Sequence, residues 1–308
     1  MFKTVAQTAL VGTAAVVLGA AALVLAAGGT ASQAIVYALV LAIATRVVPV
    51  LATFPVAYWP RAGGGAPVLT AGALSRTVVR EIWATMKLFF FYHPFERIVT
   101  RRDPPRIVPG ETPILLVHGF FSNAGFWHRI EPFVREAGWS NVFLVNLEPP
   151  FVSIDDYARQ LEKRIDEACL RSGTESIIIV AHSMGGLVAR ACLGSDSGRI
   201  LRLICLGTPN HGTLWASLLP WVNTRQMRID SDWLRRLNTG RSADGSIINI
   251  LSEHDNIVVP QSSAAMSDAT NIRLRGVGHL DMACSGEVRR AIKGALNGDG
   301  ACQLDKSQ

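Results

Sequence analysis

The stretch Ile177-Ile178-Ile179-Val180-Ala181-His182-Ser183-Met184-Gly185-Gly186 limits what this chain can fold into more than any other. Its first four residues are apolar and mostly β-branched, which predicts a buried strand. Ala, His, Ser and two glycines follow with no spacer, and Leu187-Val188-Ala189-Arg190-Ala191 continues as a helix. A strand running straight into a helix leaves room only for a sharp turn, here with Ser183 at its apex. Such a turn closes only if the residues two before and two after the serine are small. Gly185 meets that demand, and so does Ala181, although glycine is more usual at the first position. Short motifs recur by chance, so the rest of the chain has to agree.

It does agree in pattern. Apolar strand candidates stand at 114–117, 142–145, 176–180, 200–206, 247–251 and 271–275. Helical candidates lie between most of them, at 124–137, 154–171, 185–193, about 261–268, and 285–296. This alternation predicts an α/β domain over 111–298, a mostly parallel sheet with helices on both faces. Residues 299–308 read as a polar tail.

The front of the chain is different. From Thr4 to Thr45, 42 positions carry no charge, room for two membrane-spanning helices of about 20 residues each. Gly28-Gly29-Thr30-Ala31-Ser32-Gln33 reads as the turn between them, giving spans of about 5–27 and 34–58 within a unit 1–60. A cleaved signal peptide fits less well, because the apolar run is too long and a second one follows at once. The second span is interrupted by Arg46, Pro49 and Pro55, so its embedded part is expected at 34–45. Arg46 is expected to snorkel, and Tyr58 and Trp59 to anchor at the interface.

Residues 61–110 read as a linker, with Gly63-Gly64-Gly65, followed by an amphipathic helix over Leu74–Phe91. Its basic residues Arg76, Arg80 and Lys87 oppose Val78, Ile82, Trp83, Met86 and Phe89. It suits either a membrane surface or the flank of the catalytic domain. Prolines at 104, 105, 109 and 113 end the extension. The first 110 residues hold 10 basic and 3 acidic side chains, the remainder 20 and 21. The net charge of +6 therefore belongs to the membrane-proximal part, where anionic lipid is the natural partner. No nucleic-acid motif accompanies it. The positive flank after the second span predicts a bacterial-type inner membrane protein with both ends and the catalytic domain in the cytoplasm. The five cysteines form no CxxC and read as free, mostly buried thiols.

A serine hydroxyl needs a base, usually a histidine oriented by a carboxylate, in the chain order Ser, acid, His. Of seven histidines, His279 follows Ser183 and stands just past the last strand, in Gly276-Val277-Gly278-His279. The preceding strand ends in Ser252-Glu253-His254-Asp255. Asp255, ahead of an apolar segment closed by Pro260, suits the acid better than Glu253, while Asp281 is too close in sequence. An oxyanion needs backbone N–H donors. Met184 supplies one, and Phe120, in the His118-Gly119-Phe120 loop after an early strand, the other. His118 is expected to hold that loop by a hydrogen bond.

Five stretches, Val117–Phe120, Ala181–Gly186, Leu206–Thr213, the Asp255 segment and Gly276–His279, together resemble the α/β-hydrolase family. More narrowly, they are similar to small bacterial triacylglycerol lipases, in which an Ala-His-Ser-Met-Gly elbow also occurs. The resemblance implies a serine esterase or lipase without cofactor or metal, acting on lipid or other apolar esters through an acyl-enzyme. It also implies an insertion after Gly207-Thr208-Pro209, so 214–246, with Leu214, Trp215, Leu218, Leu219, Trp221 and Val222, reads as a lid, an acyl-binding wall or a core helix. The N-terminal 110 residues depart from the secreted members of that group. An acyltransferase or thioesterase on the same triad, or a non-catalytic binding protein, are the alternatives.

Overall fold

The computed structural model describes residues 5–58, 68–195, 198–239 and 246–298. The expected linker at 61–67, Trp59, Lys3, Cys302 and the polar tail lie outside the described residues.

Six strands form one parallel sheet: β1 (Ile114–Val117), β2 (Val142–Val145), β3 (Ile177–His182), β4 (Ile200–Leu206), β5 (Ile247–Ser252) and β6 (Thr270–Leu274). Their order is β2-β1-β3-β4-β5-β6, so β3 is central, with Ala181 in register with Val117 and Cys205. All residues of β1, β2, β3 and β5 are buried, which is why they read as unbroken apolar runs. Alternate side chains feed two cores. Leu115, Phe143 and Ile179 face one side; Ile114, Leu144 and Val180 face the other.

The helices, in chain order, begin with α1 (Val5–Ala26), α2 (Ala31–Ala57), α3 (Ala71–Lys87) and α4 (Glu96–Val99). The helices that follow β1 are α5 (Ile130–Glu136), α6 (Ile154–Ser172), α7 (Met184–Ser195), α8 (Val222–Gln226), α9 (Asp232–Thr239) and α10 (Gly286–Asn297). Helices α6 and α7 cover the first core, α5 and α10 the second. Two expected helices are shortened. Residues 124–137 divide into a 3-10 turn, Ala124–Arg129, and α5. The 261–268 segment forms only the 3-10 turn Gln261–Ala264. There the side chains of Asn210, Asn249 and Asn271 bond the backbone of Ala264 and Met266 and compete with a helix.

Helices α1 and α2 form an apolar hairpin, with Thr30 and Gln33 making a capping box at the start of α2. By length and composition α2 can cross a membrane. Leu18, Leu23, Ile35, Leu39, Val40 and Leu51 are exposed along the hairpin. The expected interruption of α2 is not found: the helix runs through Pro49 and Pro55. Each proline removes one N–H, and burial of Val50 and Phe54 holds the turns around them. Arg46, expected to snorkel, donates to Thr13 Oγ1 at 2.5 Å and lies over the rings of Phe89 and Phe90. Tyr58, expected as an interfacial anchor, stands against the His254 ring.

Helix α3, capped by Thr70, continues into a π-helical turn, Leu88–Tyr92. It buries Thr77, Glu81, Ala84 and Thr85, while Val79 and Trp83 stay exposed. The extension is thus packed onto the loops at the carboxyl ends of the strands, the edge where open α/β sheets place their ligands.

Candidate active site

Ser183 is in the left-handed region, φ 54°, as a tight strand-to-helix turn requires. Its N–H donates to Leu206 O at 2.8 Å, and its carbonyl accepts from Gly186 N at 3.0 Å. No side chain fits on the helix side of the turn: a Cβ on Gly185 would lie 2.5 Å from His118 O, and one on Gly186 would overlap Thr208. The two glycines therefore let the elbow dock against the loops after β1 and β4.

His279 and Asp255 meet across two loops. The Asp255 carboxylate accepts from His279 Nδ1 at 2.8 Å through Oδ2. Through Oδ1 it accepts the N–H groups of Ile257 at 2.7 Å and Val258 at 2.8 Å, which fix its orientation. Asn256 Oδ1 takes the His279 N–H at 3.1 Å. With Nδ1 donating to a carboxylate, Nε2 is the basic nitrogen. The imidazole lies beside the elbow: its ring centroid is 4.6 Å from that of His182, the residue before the serine. Burial of His279 disfavours its protonation, but the Asp255 charge, the hydrogen bond to Asp255 and the Glu81 charge together outweigh this and hold the pKa above the ordinary histidine value. Glu253 points elsewhere and pairs with Arg275 at 3.0 Å. Asp281 pairs with Arg80 at 2.8 Å.

The loop after β1 closes on the serine. A Cβ on Gly119 would lie 2.8 Å from Ser183 Cβ, so only glycine lets Phe120 approach. His118 braces the loop as expected: Nδ1 donates to Gly119 O at 2.9 Å and Nε2 accepts from Leu147 N at 3.0 Å. Burial pushes its pKa down to about 4, so it is neutral at pH 7. His118, Gly119, Phe120, Met184 and Asn223 border a cavity of about 10 Å³, the space of roughly one water or one oxygen atom. Phe120, Phe151 and Trp221 form an aromatic wall around it, with Phe151 and Trp221 stacked at 4.2 Å. The 214–246 segment contributes Trp221 to this wall, while Leu218 and Val222 face outward.

Sequence reasoning missed the supports from the N-terminal extension. Glu81 of α3 is buried and accepts the N–H groups of Leu280 at 3.0 Å and Asp281 at 2.8 Å, directly after His279. Gly278 lies flat on its carboxylate, where a Cβ would overlap. Burial raises the Glu81 pKa to about 7. His93, whose pKa burial pushes down to about 3, meets Ser122 Oγ at 3.1 Å, and its carbonyl accepts from Asn123 in the loop after β1. Thr53 of α2 takes Asn256 Nδ2 at 2.9 Å. The available signal was the polar face Thr77, Glu81, Thr85, spaced four apart in an otherwise apolar and basic helix.

The profile described as "Alpha/beta hydrolase family" matches residues 114–253. A triacylglycerol lipase of Pseudomonas fragi is 32% identical over 116 residues, 35% of this chain and 38% of that protein. The match therefore spans well under half the length of that relative. Aspergillus fumigatus lipase B superposes with a TM-score of 0.55 at 22% identity, over 64% of this chain and 55% of that one. Mature Bacillus licheniformis lipase BlEst2 gives 0.52 at 18% identity, over 63% of this chain and 94% of its own. At these identities the structures speak to the fold alone.

Proposed function

This chain carries an α/β-hydrolase domain, and on that premise we propose that it is a membrane-anchored serine ester hydrolase of the lipase or esterase type. The observation that carries this reading is the buried Asp255–His279 pair, 2.8 Å long, beside a serine held at positive φ. Ser183 Oγ attacks the ester carbonyl and His279 Nε2 takes its proton. Asp255 keeps the imidazole in the required tautomer and stabilises the imidazolium. The carbonyl oxygen becomes an oxyanion held by the N–H groups of Phe120 and Met184, for which the 10 Å³ cavity has room. Collapse expels the alcohol with the proton from His279, leaving an acyl-enzyme. The same base then activates water to release the acid.

Substrate and setting follow from the surroundings. The aromatic wall and the exposed apolar hairpin favour lipid or other apolar esters over small polar ones. The α1–α2 hairpin is the anchor, and its even number of passes keeps both flanks on one side. The basic residues of α3 favour the cytoplasmic side. Purified protein assayed with p-nitrophenyl esters of graded chain length, with Ser183→Ala as control, tests the activity. Turnover by the alanine variant would place the nucleophile elsewhere.

A further inference from the structure

Beside the small cavity lies a larger one, of about 200 Å³. It is walled by Thr45, Arg46, Pro49, Val50 and Thr53 of α2, by Glu81, Thr85 and Phe89 of the α3 unit, and by residues of the site loops. Those loop residues are Phe121, next to Phe120; Asn256 and Ile257, next to Asp255; and Leu280, next to His279. Every loop of the candidate triad and oxyanion hole except the elbow thus reaches this space. Phe121, held at φ 48°, borders both cavities.

An ester carbonyl bonded to Ser183 needs space for its oxygen and for two arms. The cavity beside Phe120 and Met184 admits about one oxygen atom and nothing longer. An extended arm must go elsewhere, and past Phe121 the larger cavity is next. Its α2 wall runs without a break into the exposed apolar part of the hairpin. At 1.5 Å per residue, the α2 wall runs from Arg46, about 22 Å along α2 from Ala31, to Thr53, about 33 Å along it, and so brackets the depth of a hydrocarbon core of about 30 Å. The cavity therefore lies where an inserted hairpin would emerge from the bilayer.

We propose that this cavity is a hydrocarbon compartment that takes one chain of a membrane-resident ester, entering along α2 rather than through bulk water. This rests on the reading of Ser183 as the nucleophile. The anchor then does more than tether: its α2 helix is a wall of the substrate site.

The test uses the full-length protein in detergent micelles. Ser183 is labelled to completion with either an ethyl or a hexadecyl p-nitrophenyl phosphonate in a Thr45→Cys variant. Maleimide modification of the introduced thiol is then followed by mass spectrometry of its peptide. The expected result is protection by the hexadecyl adduct and not by the ethyl adduct. Complete labelling of Ser183 with equal thiol reactivity in both adducts would overturn the compartment alone. Failure of Ser183 to label would overturn the nucleophile assignment and the compartment with it. Independently, Val50→Phe, which fills the space, should lower the ratio of palmitate to acetate kcat/KM by about tenfold or more. An unchanged ratio in a folded variant would also overturn the proposal.

Discussion

At the scale of single residues, the site assignments separate cleanly by substitution. Ser183→Ala should lose ester hydrolysis and fluorophosphonate labelling, a rate loss of about 10⁴ to 10⁶, with the fold intact. Asp255→Asn should cost much of the rate and Glu253→Gln little, because only the former reaches His279. Kinetics of both variants check this; equal losses would contradict the assignment. The pH profile carries a sign. A protonated His279 cannot accept the serine proton, and Asp255 raises its pKa. The rate should therefore rise with pH through a midpoint above the ordinary histidine value of about 6.5. Glu81 also favours the imidazolium. Glu81→Gln should consequently move that midpoint to lower pH, besides leaving one of two backbone N–H groups poorly paired at about 1–3 kcal/mol. A positioning role is separated from simple destabilisation by the shift in midpoint, read in a stopped pH–rate series on folded protein.

At the scale of elements, the extension that precedes the sheet behaves as part of the α/β domain. Leu88, in the π-helical turn after α3, is fully buried in the core that also contains Trp127 and Ile130. Leu88→Ala should therefore destabilise the whole domain by about 2–5 kcal/mol, a core penalty, measurable by denaturant unfolding. A loss within about 0.5 kcal/mol would mean that α3 is only a surface attachment. The three supports act on different loops: Glu81 on the one after β6, His93 on the one after β1, Thr53 on the one after β5. Strands fix where each loop begins, but these contacts fix where it ends.

At the scale of the whole molecule, buried histidines set the acid limit. His93, His118 and His182 are all buried, and burial holds each pKa below the ordinary value. Unfolding lets all three take up protons as pH falls below about 6.5. Glu81 works in the opposite sense, since its raised pKa keeps it protonated in the fold and it gives up that proton on unfolding. His279 is protonated in both states there. The net uptake of about one to two protons makes stability fall by about 1–3 kcal/mol per pH unit between roughly pH 6 and 5. Thermal melts across that range should show Tm dropping steeply; a flat profile would contradict it. Membrane orientation is also a property of the whole chain. Fusions after residue 110 should give fluorescent green fluorescent protein and inactive alkaline phosphatase. An active phosphatase there would place the domain outside.

The sequence alone determined the sheet and the candidate residues on it. Short apolar runs bounded by turn signals and alternating with helical patterns read as strands buried on both faces, and a strand joined to a helix through Ser183-Met184-Gly185-Gly186 must turn sharply. Chain order then singled out His279, and the segment after β5 offered Asp255 ahead of Glu253. These are local signals, carried by residues next to one another. Only the tertiary structure decided what braces the site. Glu81 meets the N–H of Leu280 from 199 residues away, and Thr53 meets Asn256 from 203. The spacing of Thr77, Glu81 and Thr85 marks a polar face but not a buried glutamate, because the cost of burial is offset by N–H groups from a distant loop. The same holds for Arg46: its charge suggested a membrane boundary, and only the packed chain reports that its partners are Thr13 and two aromatic rings. Periodicity reports which face of an element is apolar; only the packed chain reports what that face meets.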